Sequence, residues 1–219
     1  MSTTLPSRPG LRPAILAAAV ALCGPAAHAF DGIETFTSGA SFFKRVVTNT
    51  NPQTTSSTAF ADVPGATTTV FVPPQTTALI GVGFDAETRC SGTVGAMDWC
   101  EARILINGEE GSPQASVHGP DTLALDSTNA GGDGTGSWES HGFSRHRCIR
   151  NASATPLTVR VQVQWKVTQF GATPPEFWLD DSTLAVQMSR DCTVTQTTPG
   201  GIDTAPAARA LRGPQSTQE

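Results

Sequence analysis

From Leu157 to Gln169 the chain alternates without a break. Leu157, Val159, Val161, Val163, Trp165 and Val167 are apolar, and Thr158, Arg160, Gln162, Gln164, Lys166 and Thr168 between them are polar. Successive side chains of a strand point to opposite faces, so a period of two predicts one long strand with a dry face and a wet face. Such one-sided strands belong to antiparallel sheets packed on one side, as in a sandwich. The same kind of signal predicts strands over Ser41–Asn49, Thr58–Val63, Thr67–Val72, Thr76–Glu87, Glu101–Asn107, Asp121–Ser127, Trp138–Ile149 and Glu176–Arg190.

Turn chemistry separates them. Asn49–Ser57 reads as a polar loop in which Pro52 stops pairing, Pro64-Gly65 as a turn between two short strands, and Asn107-Gly108 as a hairpin turn. Gly81 and Gly83 fall on one face of the Thr76–Glu87 strand, where interior glycines mark a bulge, close packing or a small ligand pocket. Nine or ten strands with turns at short intervals predict an all-β fold, a single antiparallel β-sandwich that is jelly-roll-like.

The ends of the chain read differently. Arg8 and Arg12, the apolar run Ala14–Leu22 and Ala27-His28-Ala29 form the pattern of a signal peptide over residues 1–29. Cys23 raises lipidation as a rival, but Leu22 is bulky where a small residue would precede the cut. The sandwich is expected over 30–192, and Thr193–Glu219, with little to bury, is expected as a disordered tail. No run approaches the ~20 apolar residues of a transmembrane helix. The expected location is secreted or periplasmic.

Four cysteines then remain, Cys90, Cys100, Cys148 and Cys192, and an even count in an exported chain predicts two disulfides. The short intervening loop favours Cys90–Cys100, which leaves Cys148–Cys192. Of 14 basic and 19 acidic residues, the leader removes Arg8 and Arg12 and no acid, leaving a formal charge of −7. That balance argues against nucleic acid as a partner.

The runs Leu79–Gly92, Asp98–Gly108 and Phe177–Val186 resemble segments of a group of secreted bacterial β-sandwich proteins, with a likeness spanning Ala59 to Arg190. The resemblance implies the fold, export and the Cys90–Cys100 pairing. It implies no activity and no catalytic residue.

Chemistry is sparse. Ser140, His141, Ser144 and His146 lie near one another without a nucleophile elbow, and His141 and His146, five apart on a strand, point to opposite faces. No cofactor is called for. If a metal is bound, Asp126, Asn129 and Asp133 beside a Gly-rich loop suit calcium, with Asp180-Asp181 as further oxygens, although such loops form without one. Asn151-Ala-Ser153 matches a glycosylation sequon.

Trp99, Trp138 and Trp178 sit near loop or strand ends, where indole rings stack on sugars or fill a partner's pocket, or else cap the core. The leading expectation is a non-enzymatic exported protein presenting loops to a glycan, a cell-surface component or a protein partner. The runner-up is a polysaccharide hydrolase using Glu87 and Glu101 on either side of the disulfide-pinned loop. A third reading is a structural surface or assembly subunit.

Overall fold

The computed structural model describes residues 33–93, 96–114, 124–128 and 137–197. The expected signal peptide, Asn129, Asp133 and the tail beyond 197 lie outside them. Twelve strands occur among the described residues: β1 (Ile33–Thr37), β2 (Ser41–Asn49), β3 (Gln53–Thr55), β4 (Ala61–Val72), β5 (Thr76–Ser91), β6 (Trp99–Ile106), β7 (Glu109–Glu110), β8 (Ala124–Ser127), β9 (Glu139–Asn151), β10 (Leu157–Thr168), β11 (Glu176–Arg190) and β12 (Thr193–Thr197). No described helix is long and apolar enough to cross a membrane.

The pairing is nested. β1 pairs β12, β2 pairs β11, β4 pairs β10, β5 pairs β9 and β6 pairs β8, all antiparallel. A chain folded back on itself in this way and then rolled up places alternate pairs in opposite sheets. One sheet has the order β2-β11-β5-β9, with β3 beside β11. The other has β4-β10-β6-β7, with β8 beside β6. This is the jelly-roll arrangement of an antiparallel sandwich.

Alternation decides which side chains fill the space between the sheets. Val159, Val161, Val163, Trp165 and Val167 of β10 are buried, and they meet Phe177, Leu179, Leu184, Val186 and Met188 of β11 and Ile80, Val82 and Phe84 of β5 in one core. Trp165 packs on Phe177 with ring centroids 5.7 Å apart. Of the four tryptophans, this one is scaffold.

Both disulfides form as the pairs Cys90–Cys100 and Cys148–Cys192. The first joins β5 to β6, one strand from each sheet, inside the core. The second ties β9 to the turn after β11.

Three local readings change. Gln53–Thr55 pairs with β11, although its polar residues and Pro52 read as loop. Pro64-Gly65 does not end a strand. β4 continues through it and pairs with β10 on both sides, with a bulge between Gln162↔Thr67 and Gln164↔Asp62. β4 is an edge strand, which tolerates a proline, and Gly65 takes φ +80° at the bulge. Thr193–Thr197, expected as the start of the tail, is β12. Its partner β1 supplies the hydrogen bonds that composition could not announce. Asn107-Gly108 is the expected hairpin turn, with φ of 58° and 80°.

Candidate functional site

The end of β5, the starts of β6, β9 and β11 and the end of β10 converge on one end of the sandwich, and Trp99, Trp138 and Trp178 all lie there. Strand parity divides them. In β5, Thr88 and Cys90 face the core, so Arg89 between them faces outward, directly opposite Trp178 of β11. Thr88 pairs with Glu139, which brings Trp138, one residue earlier, alongside Arg89 from the other side.

The Arg89 guanidinium carbon lies 5.1 Å from the centre of the Trp138 ring and 4.7 Å from that of Trp178. The two indoles meet edge-to-face with centroids 6.4 Å apart, and Trp178 Nε1 donates to Glu176 Oε2 at 2.9 Å. A cation held between two indole faces gains about 0.5–2 kcal/mol per ring contact and is fixed in direction. Among the described residues Arg89 makes no hydrogen bond or ion pair, and its Nε is buried without a partner. Trp138 remains 42% exposed.

Two carboxylates stand beside this platform. Glu87 is two residues before Arg89 on the same face of β5, and it lies directly opposite Asp180 of β11. Like charges at facing positions destabilise a sheet unless something sits between them. β11 bulges immediately afterwards at Asp181, where φ is 42°. Indole faces, a guanidinium and carboxylates are thus gathered on one outward surface.

Trp99 belongs elsewhere. It faces outward from the other sheet and packs edge-to-face on Phe170, with centroids 5.0 Å apart. That contact is set by Asp98, a fully buried carboxylate whose Oδ1 accepts the N–H groups of Phe170 and Gly171 at 2.6 and 2.7 Å.

Glu87 and Glu101 are not brought together. Glu101 lies on β6 of the opposite sheet, fully buried, where it pairs with Lys166 Nζ at 3.0 Å and accepts the Thr168 hydroxyl. Glu87 is exposed on the outer face of β5.

Asp126 is also engaged. Its Oδ2 accepts the Thr88 hydroxyl at 2.8 Å, and the same hydroxyl lies 2.7 Å from His141 Nδ1. With its one proton given to Asp126, Thr88 must accept from His141. His141 Nε2 in turn lies 3.5 Å from Glu139. No residue pattern announces this series of contacts linking β8, β5 and β9. Because Thr88 is wholly buried, its hydroxyl is a structural link and not an accessible nucleophile. Asp180 and Asp181 project from β11 at its bulge, away from Asp126. No three described His, Cys, Asp or Glu residues are placed to hold a metal ion. Asn151 of the sequon is buried and committed to backbone groups.

His141 and His146 do point to opposite faces. Burial strips water from the charged form of His146, and the neighbouring Arg145 adds repulsion, so its pKa is lowered from the usual 6.5. Below about pH 6.5 the unfolded chain then takes up a proton that the folded chain refuses. Stability should therefore fall as pH drops from 6.5 toward the folded value, and level off below it. A His146→Gln variant should show a flatter dependence of the urea midpoint between pH 7.5 and 5. Identical slopes would rule this out.

Comparisons with family models and with curated proteins find no match. Among solved structures, one described as the structure of infectious bursal disease virus Gx strain is similar. Its TM-score is 0.33 at 14% identity, over 73% of this chain and 38% of that one.

Proposed function

We propose that this is a secreted or periplasmic, non-enzymatic sandwich module that binds a neutral glycan on the outward surface around Trp138, Arg89 and Trp178. The observation that carries the reading is the Trp138–Arg89–Trp178 stack, with its exposed indole and a guanidinium that, among the described residues, makes ring contacts and no hydrogen bond or ion pair. Sugar rings present flat C–H faces that cover indoles, and hydroxyls that need both acceptors and donors. Glu87 and Asp180 supply acceptors and Arg89 supplies donors. The surrounding acids disfavour an acidic sugar. Export rests on the leader pattern, and two disulfides accord with an oxidising compartment.

A glycan array probed with the full chain, produced under oxidising conditions, tests this. Neutral oligosaccharides should bind, and Trp178→Ala should weaken the best binder by at least about tenfold. Trp99→Ala, on the opposite sheet, should leave it unchanged. No binding at all, or equal loss in the two variants, would reject the proposal.

A further inference from the structure

The outer face of the β2-β11-β5-β9 sheet carries a second feature, which begins six residues along β5 from Arg89. Where the four strands cross, register aligns Val46, Ala185, Gly83 and Ser144 in one row. The next row is Lys44, Gln187, Gly81 and His146. Gly81, Gly83 and Ala185 lie low between the longer side chains of Lys44, Gln187 and His146, and leave an open trough of about 360 Å³.

The missing side chain at Gly83 has no backbone explanation. Its φ is not positive, and a Cβ built there would meet nothing within 4 Å. A strand interior ordinarily gains from a side chain in place of glycine. What the glycine does is keep the floor of the trough open. At Gly81 a Cβ would come within 3.3 Å of the His146 ring, so this glycine seats the imidazole against the floor. Phe36 of β1 lies against the same ring, with centroids 5.9 Å apart.

The walls have one charge sign. Lys44 has no ion pair among the described residues, and no carboxylate lines the trough. The His146 ring makes no hydrogen bond among the described residues, and its lowered pKa keeps it a neutral donor or acceptor. The Gln187 amide, bonded to Ser41 Oγ at 3.1 Å, adds polarity beside Lys44. An apolar floor with a single free ammonium at its edge fits an anion carrying a short apolar body. The volume lies at the small end of small-molecule sites.

We infer that the trough floored by Gly81, Gly83 and Ala185 binds a small organic carboxylate, its charge on Lys44 and its apolar body across the glycines. This site is separate from the tryptophan platform and does not depend on glycan binding.

The test is a titration of the ¹⁵N-labelled full chain at pH 7.5 with hexanoate, and in parallel with hexylamine, followed by amide shifts. Hexanoate should give saturable shifts at Gly81, Gly83, Ser144 and Ala185 with a Kd of about 1 mM, the scale for a probe of this size. The Trp138 and Trp178 indole signals should stay still. Hexylamine should cause none of these shifts, and Gly83→Leu, which fills the floor, should abolish them. Lys44→Met, on the edge strand, should weaken hexanoate at least about fivefold and keeps the test decisive if Gly83→Leu fails to fold. No saturable shift with hexanoate, equal shifts with hexylamine, or unaltered binding in Lys44→Met would overturn the inference.

Discussion

The Cys148→Ala/Cys192→Ala variant is expected to lose about 4 kcal/mol of unfolding free energy, the loop-closure value for a bridge closing 44 residues. The path of the chain explains why the loss should be global. After β11 the backbone turns at Asp191, with φ of 59°, and the Asp191 N–H donates to the Thr77 carbonyl at 2.9 Å. It thus crosses the start of β5 and is caught by Cys148 on β9. Two strands that are not neighbours in the sheet are joined over the one between them. β12 follows at once, and its pairing with β1 folds both ends of the domain onto this face. Guanidinium unfolding of the variant should show a lower midpoint in one transition. A loss below about 1 kcal/mol, or a separate early transition of the β1–β12 ribbon alone, would refute this account.

Asn151→Ala is expected to cost about 2–4 kcal/mol, a large effect for one polar residue. Asn151 Nδ2 lies within 2.8–3.0 Å of three carbonyl oxygens, those of Val72, Pro73 and Thr155, and Oδ1 accepts the Ser153 N–H at 3.0 Å. The side chain thereby closes the β9–β10 turn onto the end of β4. Alanine leaves those groups without partners where little water reaches them. Asn151→Asp should be damaging too, because a carboxylate would face carbonyl oxygens in place of an amide N–H₂. A variant at Ser153 that removes the sequon but spares Asn151 should lose much less. Chemical denaturation of the three variants separates these cases. The same geometry withdraws the sequon as a modification site, since the atom a glycan would join is the one holding the turn.

Strands with a full alternating pattern were legible from residues alone. Leu157–Thr168 buries every second side chain from Val159 to Val167, Glu176–Arg190 does so on either side of its bulge, and hydrophobic transfer makes such a pattern nearly unambiguous. β3 and β12 were not legible, because three to five mostly polar residues become a strand only when a neighbour offers its hydrogen-bonding edge. Pro64-Gly65 read as a turn for a sound local reason, yet the partner strand β10 runs unbroken past it, and a bulge absorbs the extra residues.

The candidate site was legible in its residue types and not in its grouping. Three tryptophans near strand ends were visible, but which of them share a face depends on the cross-strand register. That register puts Arg89 opposite Trp178 and leaves Trp99 on the other sheet. Arg89 itself gave one weak signal, its place two residues after Glu87 with a core residue between. Glu101 was misleading in the opposite way. Its closeness in sequence to the disulfide-pinned loop suggested a pair with Glu87, whereas Lys166 and Thr168 on the neighbouring strand hold it in the opposite sheet.

The four tryptophans give the most direct test of the glycan-binding surface, because each indole N–H reports on its own site in a ¹⁵N spectrum. Addition of a neutral oligosaccharide selected on the array should shift the Trp138 and Trp178 indole signals in a saturable way. Trp165, buried against Phe177, and Trp99, packed on Phe170, should not move. Movement of Trp99 with Trp138 and Trp178 unchanged, or no movement of any indole on a binding oligosaccharide, would contradict the assignment of this surface.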